Sequence, residues 1–342
     1  MARSTAFPSR TDAAGKAAIR RILDLAGSRD GFLVTGHVRS DGDALGAQLA
    51  FNRLLRKMGK RSHVVCDHGV MADYRFLPGS GGVGSGPADL RREYGAVFVF
   101  DSGSWERLER VSRALPRKRL TVVNVDHHAS NGRFGDFNWV DPSYASCGEM
   151  VWEILKASGV KPDRDIAACI YTGIVTDTGR FSFSNTTRET HLRAAELLAC
   201  GVRPADVHHR LYRERSPEQV RFAAGCLTRI RLAGGGTVAW VSISQKLVAK
   251  AGFEPGDTQE YIDPVKSIKG VRLAVLLRET KEPGRIKVSF RTEPGVDGIA
   301  LASRWGGGGH ARASGATFHG TLAEAEEEVI REAVRFVNGA RR

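Results

Sequence analysis

Cysteine is scarce in this chain of 342 residues: there are 5, an odd number, and no two are spaced as Cys-x-x-Cys. A disulfide framework and a zinc ribbon are both excluded as organising principles. Cys66, Cys147, Cys169, Cys200 and Cys226 read instead as reduced core residues of a cytoplasmic protein, Cys169 lying in the apolar run 166–175. Long hydrophobic stretches are missing too. The opening residues Met1–Lys16 lack the apolar stretch of a signal peptide, and nothing approaches the roughly 20 apolar residues of a membrane span. A soluble chain without a membrane partner is expected. Repeats and low-complexity segments are absent. Acidic residues are in deficit, with 38 Asp and Glu against 51 Lys and Arg, a net charge of +13. That balance favours anionic partners, although runs such as Arg113, Arg117, Lys118 and Arg119 also suit solvated helix faces.

What remains is an ordinary globular composition, 42% hydrophobic, long enough for two domains. In the first half, apolar strands at 32–35, 62–66, 97–100 and 121–125 alternate with helical patterns at 43–58, 147–157, 166–176 and 190–200. Fully apolar strands separated by helices predict an α/β fold with a parallel sheet covered on both faces. A helix over 217–231, ended by Gly234-Gly235-Gly236, predicts a linker at 206–235 between a domain over 1–205 and a second over 236–342. The second has strands at 237–243, 271–278, 286–291 and 315–318 and helices near 258–267, 298–305 and 321–337, the pattern of a smaller α/β domain with a mixed sheet.

Carboxylates and imidazoles gather where these strands end. His37, Asp41 and Asp43 follow the first strand, Asp101 the third, and Asp126, His127 and His128 the fourth; Asp177 closes an apolar helix. Each alone reads as a turn, a helix cap or a satisfied histidine. Together they occupy equivalent edges, and in an open α/β sheet those edges converge on one crevice. Mixed imidazole and carboxylate donors suit Mn²⁺, Fe²⁺ or Zn²⁺ better than Mg²⁺. In the second domain Gly306-Gly307-Gly308-Gly309 precedes His310 and Arg312. Such a run lets backbone N–H groups approach an anion, with Arg312 and Arg291 able to add bidentate phosphate contacts; alone it reads as a surface turn.

The Asp126-His127-His128 triplet, with His37–Gly46 upstream, Val97–Gly103 between and the glycine run with His310–Gly315 downstream, resembles the DHH phosphoesterase family with its DHH-associated C-terminal domain. The resemblance spans nearly the whole chain in the right order. It implies a Rossmann-like catalytic domain and two divalent ions, Mn²⁺ first among them. His37, Asp41 and Asp101 would hold one ion, and Asp43, Asp101, His127 and Asp177 the other, with Asp101 bridging. Asp126 would orient an imidazole and His128 would touch the scissile phosphate. Arg291, Gly307, Gly308, Gly309 and His310 would grip the terminal nucleotide, with Arg312 a weaker candidate. The implied activity is hydrolysis of short oligoribonucleotides and removal of the 3′-phosphate of 3′-phosphoadenosine 5′-phosphate. Hydrolysis of cyclic di-AMP or its linear product is the alternative, and a non-catalytic nucleotide-binding module on the same fold is a third reading. The expected partners are short RNA and phosphorylated nucleotides; a homodimer is left open.

Overall fold

The structure, a computed structural model, describes residues 11–252, 259–309 and 312–339. His310, an expected nucleotide contact, lies outside the described residues. The chain divides into two compact units, Met1–Arg213 and Glu214–Arg342.

The first unit contains α1 (Ala13–Ser28), β1 (Phe32–Gly36), α2 (Gly42–Lys57), β2 (Ser62–Val64), β3 (Ala96–Phe100), α3 (Arg110–Ala114), β4 (Val122–Asp126), β5 (Phe137–Val140), α4 (Cys147–Ser158), α5 (Arg164–Asp177), α6 (Arg188–Ala199) and α7 (Pro204–Tyr212). Its sheet runs in the order β2-β1-β3-β4-β5, every pairing parallel. All residues of β1, β3 and β4 are buried, as a sheet covered on both faces requires. Alternate side chains feed two cores. Phe32, Val34, Phe98 and Phe100 pack under α1, α2, α4 and α5, whereas Leu33, Val97, Val99 and Val122 pack toward α3. Phe51 of α2 packs its ring, tilted, with its centre 4.7 Å from that of Phe98 and 5.0 Å from that of Phe100, and each such buried ring contributes about 1.5–3 kcal/mol. The connection from β1 runs to β2 on one side, and the chain then crosses back to β3 on the other side and continues outward to β4 and β5. The strand order therefore switches beside β1, and ligands in such sheets bind at the carboxyl ends flanking that point.

The opposite rim, where the strands begin, is stitched by long basic side chains. Arg29 Nη1 donates to Gly95 O and Thr121 Oγ1, Lys60 Nζ to Gly27 O and Arg29 O, and Arg61 pairs with Asp30.

The second unit contains α8 (Pro217–Leu227), β6 (Arg231–Ala233), β7 (Val238–Ile243), α9 (Gln245–Ala251), α10 (Gln259–Lys266), β8 (Leu273–Glu279), β9 (Arg285–Thr292), α11 (Gly298–Ala302), β10 (Gly308–Gly309), β11 (Ala313–His319) and α12 (Leu322–Gly339). Its sheet order is β10-β11-β9-β8-β7-β6, with β7 and β8 parallel and the remaining pairs antiparallel. One face packs on α12, the other on α8, α9 and α10. No helix among the described residues is long and apolar enough to cross a membrane.

Most of the segment expected as a linker is regular structure. Pro204 occupies the first turn of α7, and a Ser216–Gln219 capping box opens α8. The division between units falls at 213/214, inside the expected 206–235 segment. The expected helix over 217–231 stops at Leu227, and Arg231–Ala233 form strand β6.

Candidate metal centre

The acid–histidine residues of the first unit meet at the carboxyl end of its sheet. His37 leaves β1 with its ring Nδ1 2.9 Å from Val38 O, which turns Nε2 toward Asp101 Oδ2 at 3.5 Å and Asp41 Oδ2 at 3.9 Å. His127 leaves β4 in the same manner. Its Nδ1 lies 3.3 Å from Tyr144 O, and its Nε2 faces Asp177 Oδ2 at 3.4 Å, Asp101 Oδ1 at 3.5 Å and Asp43 Oδ2 at 3.8 Å. Asp101 thus presents one oxygen to each imidazole group. Its backbone is left-handed, with φ +55°, a conformation Asp tolerates better than most residues and one found at functional sites.

The acidic side chains are held by helix starts. Asp41 caps α2, its Oδ1 accepting Asp43 N–H and Ala44 N–H at 3.0 Å each. Asp43 is fully buried, and its two oxygens accept Cys147 N–H at 2.6 Å and Gly148 N–H at 2.8 Å from the first turn of α4, where the helix dipole favours an anion. Close packing of α2 on α5 makes room for this arrangement. A Cβ on Gly173 would lie 2.6 Å from Asp43 Oδ1, and one on Gly46 would lie 2.3 Å from Cys169 O. Asp126 ends β4; its Oδ1 accepts from His128 Nδ1 at 2.8 Å, and Asn131 Nδ2 lies 2.5 Å from its Oδ2. The imidazole oriented by Asp126 is therefore that of His128, which also sits 3.2 Å from Asp101 Oδ1.

Three participants lacked a signal in the sequence. Cys147, expected as a plain core residue, is buried, but its Sγ lies 3.9 Å from Asp101 Oδ1, with the ligand atoms of Asp43, Asp101, His127 and Cys147 all within 4.8 Å of one another. Asn131 carries no spacing signature beyond lying near His128. Asn185 donates from Nδ2 to Asp177 O at 3.0 Å and Ala145 O at 3.1 Å; the cap of α6 is Thr187.

The expected nucleotide contacts are in the second unit. Arg291 lies on β9, with Nε 3.9 Å from Asp263 Oδ1. Gly308 and Gly309 form strand β10 against Gly315 and Ser314 of β11. A Cβ on Gly307 would lie 2.1 Å from Gly315 O. This stretch is a short strand pressed onto its neighbour, and the missing Cβ atoms are what permit that approach. Arg312 O accepts Thr292 N–H at 3.0 Å.

Residues 31–174 match the DHH family N-terminal domain, and residues 237–339 match the DHHA1 domain. The chain is 35% identical to the bifunctional oligoribonuclease and PAP phosphatase NrnA of Thermus thermophilus over 88% of both chains. This chain belongs to the DHH family. It is also 30% identical to the Bacillus subtilis protein of that name, over 85% of this chain and 90% of the relative. A crystal structure of an exopolyphosphatase-related protein from Bacteroides fragilis superposes with a TM-score of 0.85 at 26% identity, covering 94% of this chain and 96% of that one.

The electrostatics of the DHH unit fit a divalent cation. Asp41, Asp43, Asp101, Asp126 and Asp177 face three histidines, an excess of negative charge in a largely buried pocket. Burial, reinforced by the charges of Asp101 and Asp177, pushes the Asp43 carboxyl well above its usual range. Burial likewise lifts Asp177 to about 7, against the pull of His127. For Asp101 burial is outweighed by hydrogen bonds from His127, His128 and His37, which hold it well below the usual value. Asp177 Oδ2 is shielded from water and accepts no hydrogen bond among the described residues. Two carboxyls held above their usual range, and imidazoles whose Nδ1 atoms rest on backbone carbonyls so that Nε2 points inward, are what a metal site supplies.

Proposed function

We propose that this DHH protein is a two-metal phosphoesterase that hydrolyses short oligoribonucleotides to mononucleotides and removes the 3′-phosphate of 3′-phosphoadenosine 5′-phosphate. The observation that carries this reading is Asp101, whose two oxygens face different imidazoles: His37 with Asp41 on one side, His127 with Asp43 and Asp177 on the other. These six residues would hold two divalent ions; the mixed donors suit Mn²⁺, Fe²⁺ or Zn²⁺, and the family resemblance puts Mn²⁺ first. Bound, the pair supplies Lewis acidity toward the phosphoryl group and a nucleophile at neutral pH. The oligoribonuclease and PAP phosphatase activities that name the Thermus thermophilus and Bacillus subtilis relatives, at 35% and 30% identity, support the substrate class.

The chain's own residues do the rest. Burial alone would pull the His128 imidazole down, but Asp101 and Asp126 hold it well above its usual value; a charged ring there would suit a phosphoryl oxygen carrying developing negative charge. Asp126 and Asn131 fix its ring. In the second unit, Arg291, His310 and Gly307–Gly309 would bind the terminal nucleotide, with Arg312 adding a phosphate contact. The net charge of +13 supports an anionic substrate. A domain division across a linker at 206–235 and a cytoplasmic location belong to the same proposal, the latter supported by five unbridged cysteines.

A side-by-side assay with a diribonucleotide, 3′-phosphoadenosine 5′-phosphate and cyclic di-AMP, each with Mn²⁺, tests it. Turnover of the first two, lost in Asp101→Ala together with bound metal, is expected. Undiminished turnover in Asp101→Ala would reject the metal assignment, and turnover of cyclic di-AMP alone would reject the substrate.

A further inference from the structure

The short segment 144–148, running from the loop after β5 into the first turn of α4, touches two of the residues assigned to the metal centre and reaches a third, Asp177, through Asn185. Tyr144 O fixes His127 Nδ1. Cys147 N–H and Gly148 N–H hold both oxygens of Asp43. Ala145 O accepts from Asn185 Nδ2, which also donates to Asp177 O. These contacts use backbone groups of the segment, so the centre's geometry depends on where that backbone lies.

One buried cation holds the segment from outside. Arg193, on α6 and 7% exposed, donates from Nη1 to Glu149 Oε2 at 3.1 Å and from Nε to Glu153 Oε1 at 2.8 Å. Its guanidinium carbon lies 4.8 Å from the centre of the Tyr144 ring. Glu149 Oε2 in turn accepts Ala145 N–H at 3.0 Å. The guanidinium therefore reaches the segment at both Tyr144 and Ala145. Ion pairs this deeply buried are poor sources of stability, since apolar residues of the same volume often do as well. A planar, forked cation that fixes two carboxylates and a ring at once is a good source of geometry.

We propose that Arg193 is a positioning residue of the metal centre, acting through Glu149 on residues 144–148 to set His127, Asp43 and Asp177. The proposal rests on the reading of those residues as metal ligands. Groups that orient ligands in this way typically alter metal affinity by about 10–100-fold when removed.

The test measures Mn²⁺ affinity and stoichiometry of the full chain by calorimetry and by electron paramagnetic resonance of free Mn²⁺, alongside thermal unfolding without metal. Four proteins are compared: the unaltered chain, Arg193→Lys, the charge-balanced double variant Arg193→Met/Glu149→Gln, and Val122→Ala. The last opens the core at the amino end of β4, away from the centre. Both Arg193 variants are expected to bind Mn²⁺ about 10–100-fold more weakly, while Val122→Ala melts earlier but binds as the unaltered chain does. The double variant leaves neither Arg193 nor Glu149 as a stranded charge, so it serves if the lysine variant folds poorly. Unchanged affinity in the Arg193 variants, beside normal uptake by the unaltered chain, would overturn this inference alone. An equal loss in Val122→Ala would overturn it as well, by making the effect one of general stability. Failure of the unaltered chain to take up Mn²⁺ would overturn the ligand reading and this inference together.

Discussion

Asn131 Nδ2 lies 2.9 Å from Ser102 O, 2.9 Å from Asn124 Oδ1 and 2.5 Å from Asp126 Oδ2. One amide thereby joins the loops after β3 and β4 and holds the carboxylate that orients His128. Asn131→Ala should lower turnover about 10–100-fold with modest loss of stability, as for other groups that orient a working side chain; steady-state kinetics beside thermal melting check this, and unchanged turnover would deny Asn131 that role. A second expectation concerns protons. Burial would pull the His127 imidazole down, but the Asp177 and Asp101 carboxylates overcome it and hold it at about 10 in the metal-free protein. The ring is then charged near neutral pH, and a cation can take Nε2 only by displacing its proton. Mn²⁺ affinity should rise with pH, and binding should release protons, visible as a dependence of calorimetric heat on buffer ionisation enthalpy. Binding heat that ignores the buffer would contradict this protonation state.

At the scale of elements, α5 shows how a cap can also be a brace. Asp163 caps it, accepting Ile166 N–H, and pairs with Arg53 and Lys57 of α2. Burial raises this carboxyl, but Ile166 N–H, Lys57 and Arg53 outweigh it and hold it at about 2, below the ordinary 3.8. A depressed folded pKa contributes stability above the unfolded value and loses it as pH falls through the folded one. Asp163→Asn should therefore cost about 1–2 kcal/mol near pH 7, a gap that closes between about pH 4 and pH 2 in urea titrations; a gap constant over that range would remove the ion pairs from the account. Elements also set what was legible beforehand. β1, β3 and β4 stand out because every residue is apolar or packed, and so did the proposed ligands at their ends. β5 was not anticipated: Phe137, Asn138 and Val140 are only half-buried, and an edge strand lacks the continuous apolar run of its neighbours. α7 read as linker because only Val207 of its nine residues is buried. Within the centre, the carbonyl of Tyr144 and the amides of Cys147 and Gly148 were invisible because any residue offers the same backbone groups. Cys147 Sγ was read as core because its flanking residues are core.

For the whole molecule, each unit has cores of its own, and the proposed ligands lie in one unit alone. Differential scanning of the full chain should resolve two transitions, of which only one moves when metal is added. Saturation at about 100 times the dissociation constant stabilises the binding unit by about 2.7 kcal/mol. A single transition that shifts as a whole, or two that shift together, would show that the units unfold as one.

Because all five strands of the first sheet run the same way, its two ends differ in kind. The end laced by Arg29, Lys60 and the Arg61–Asp30 pair carries none of the assigned chemistry. A fluorophore, a surface tether or an inserted peptide placed at the turn near Gly59 should therefore report on the enzyme without disturbing it, whereas the same graft beside Gly103 would sit on the working side.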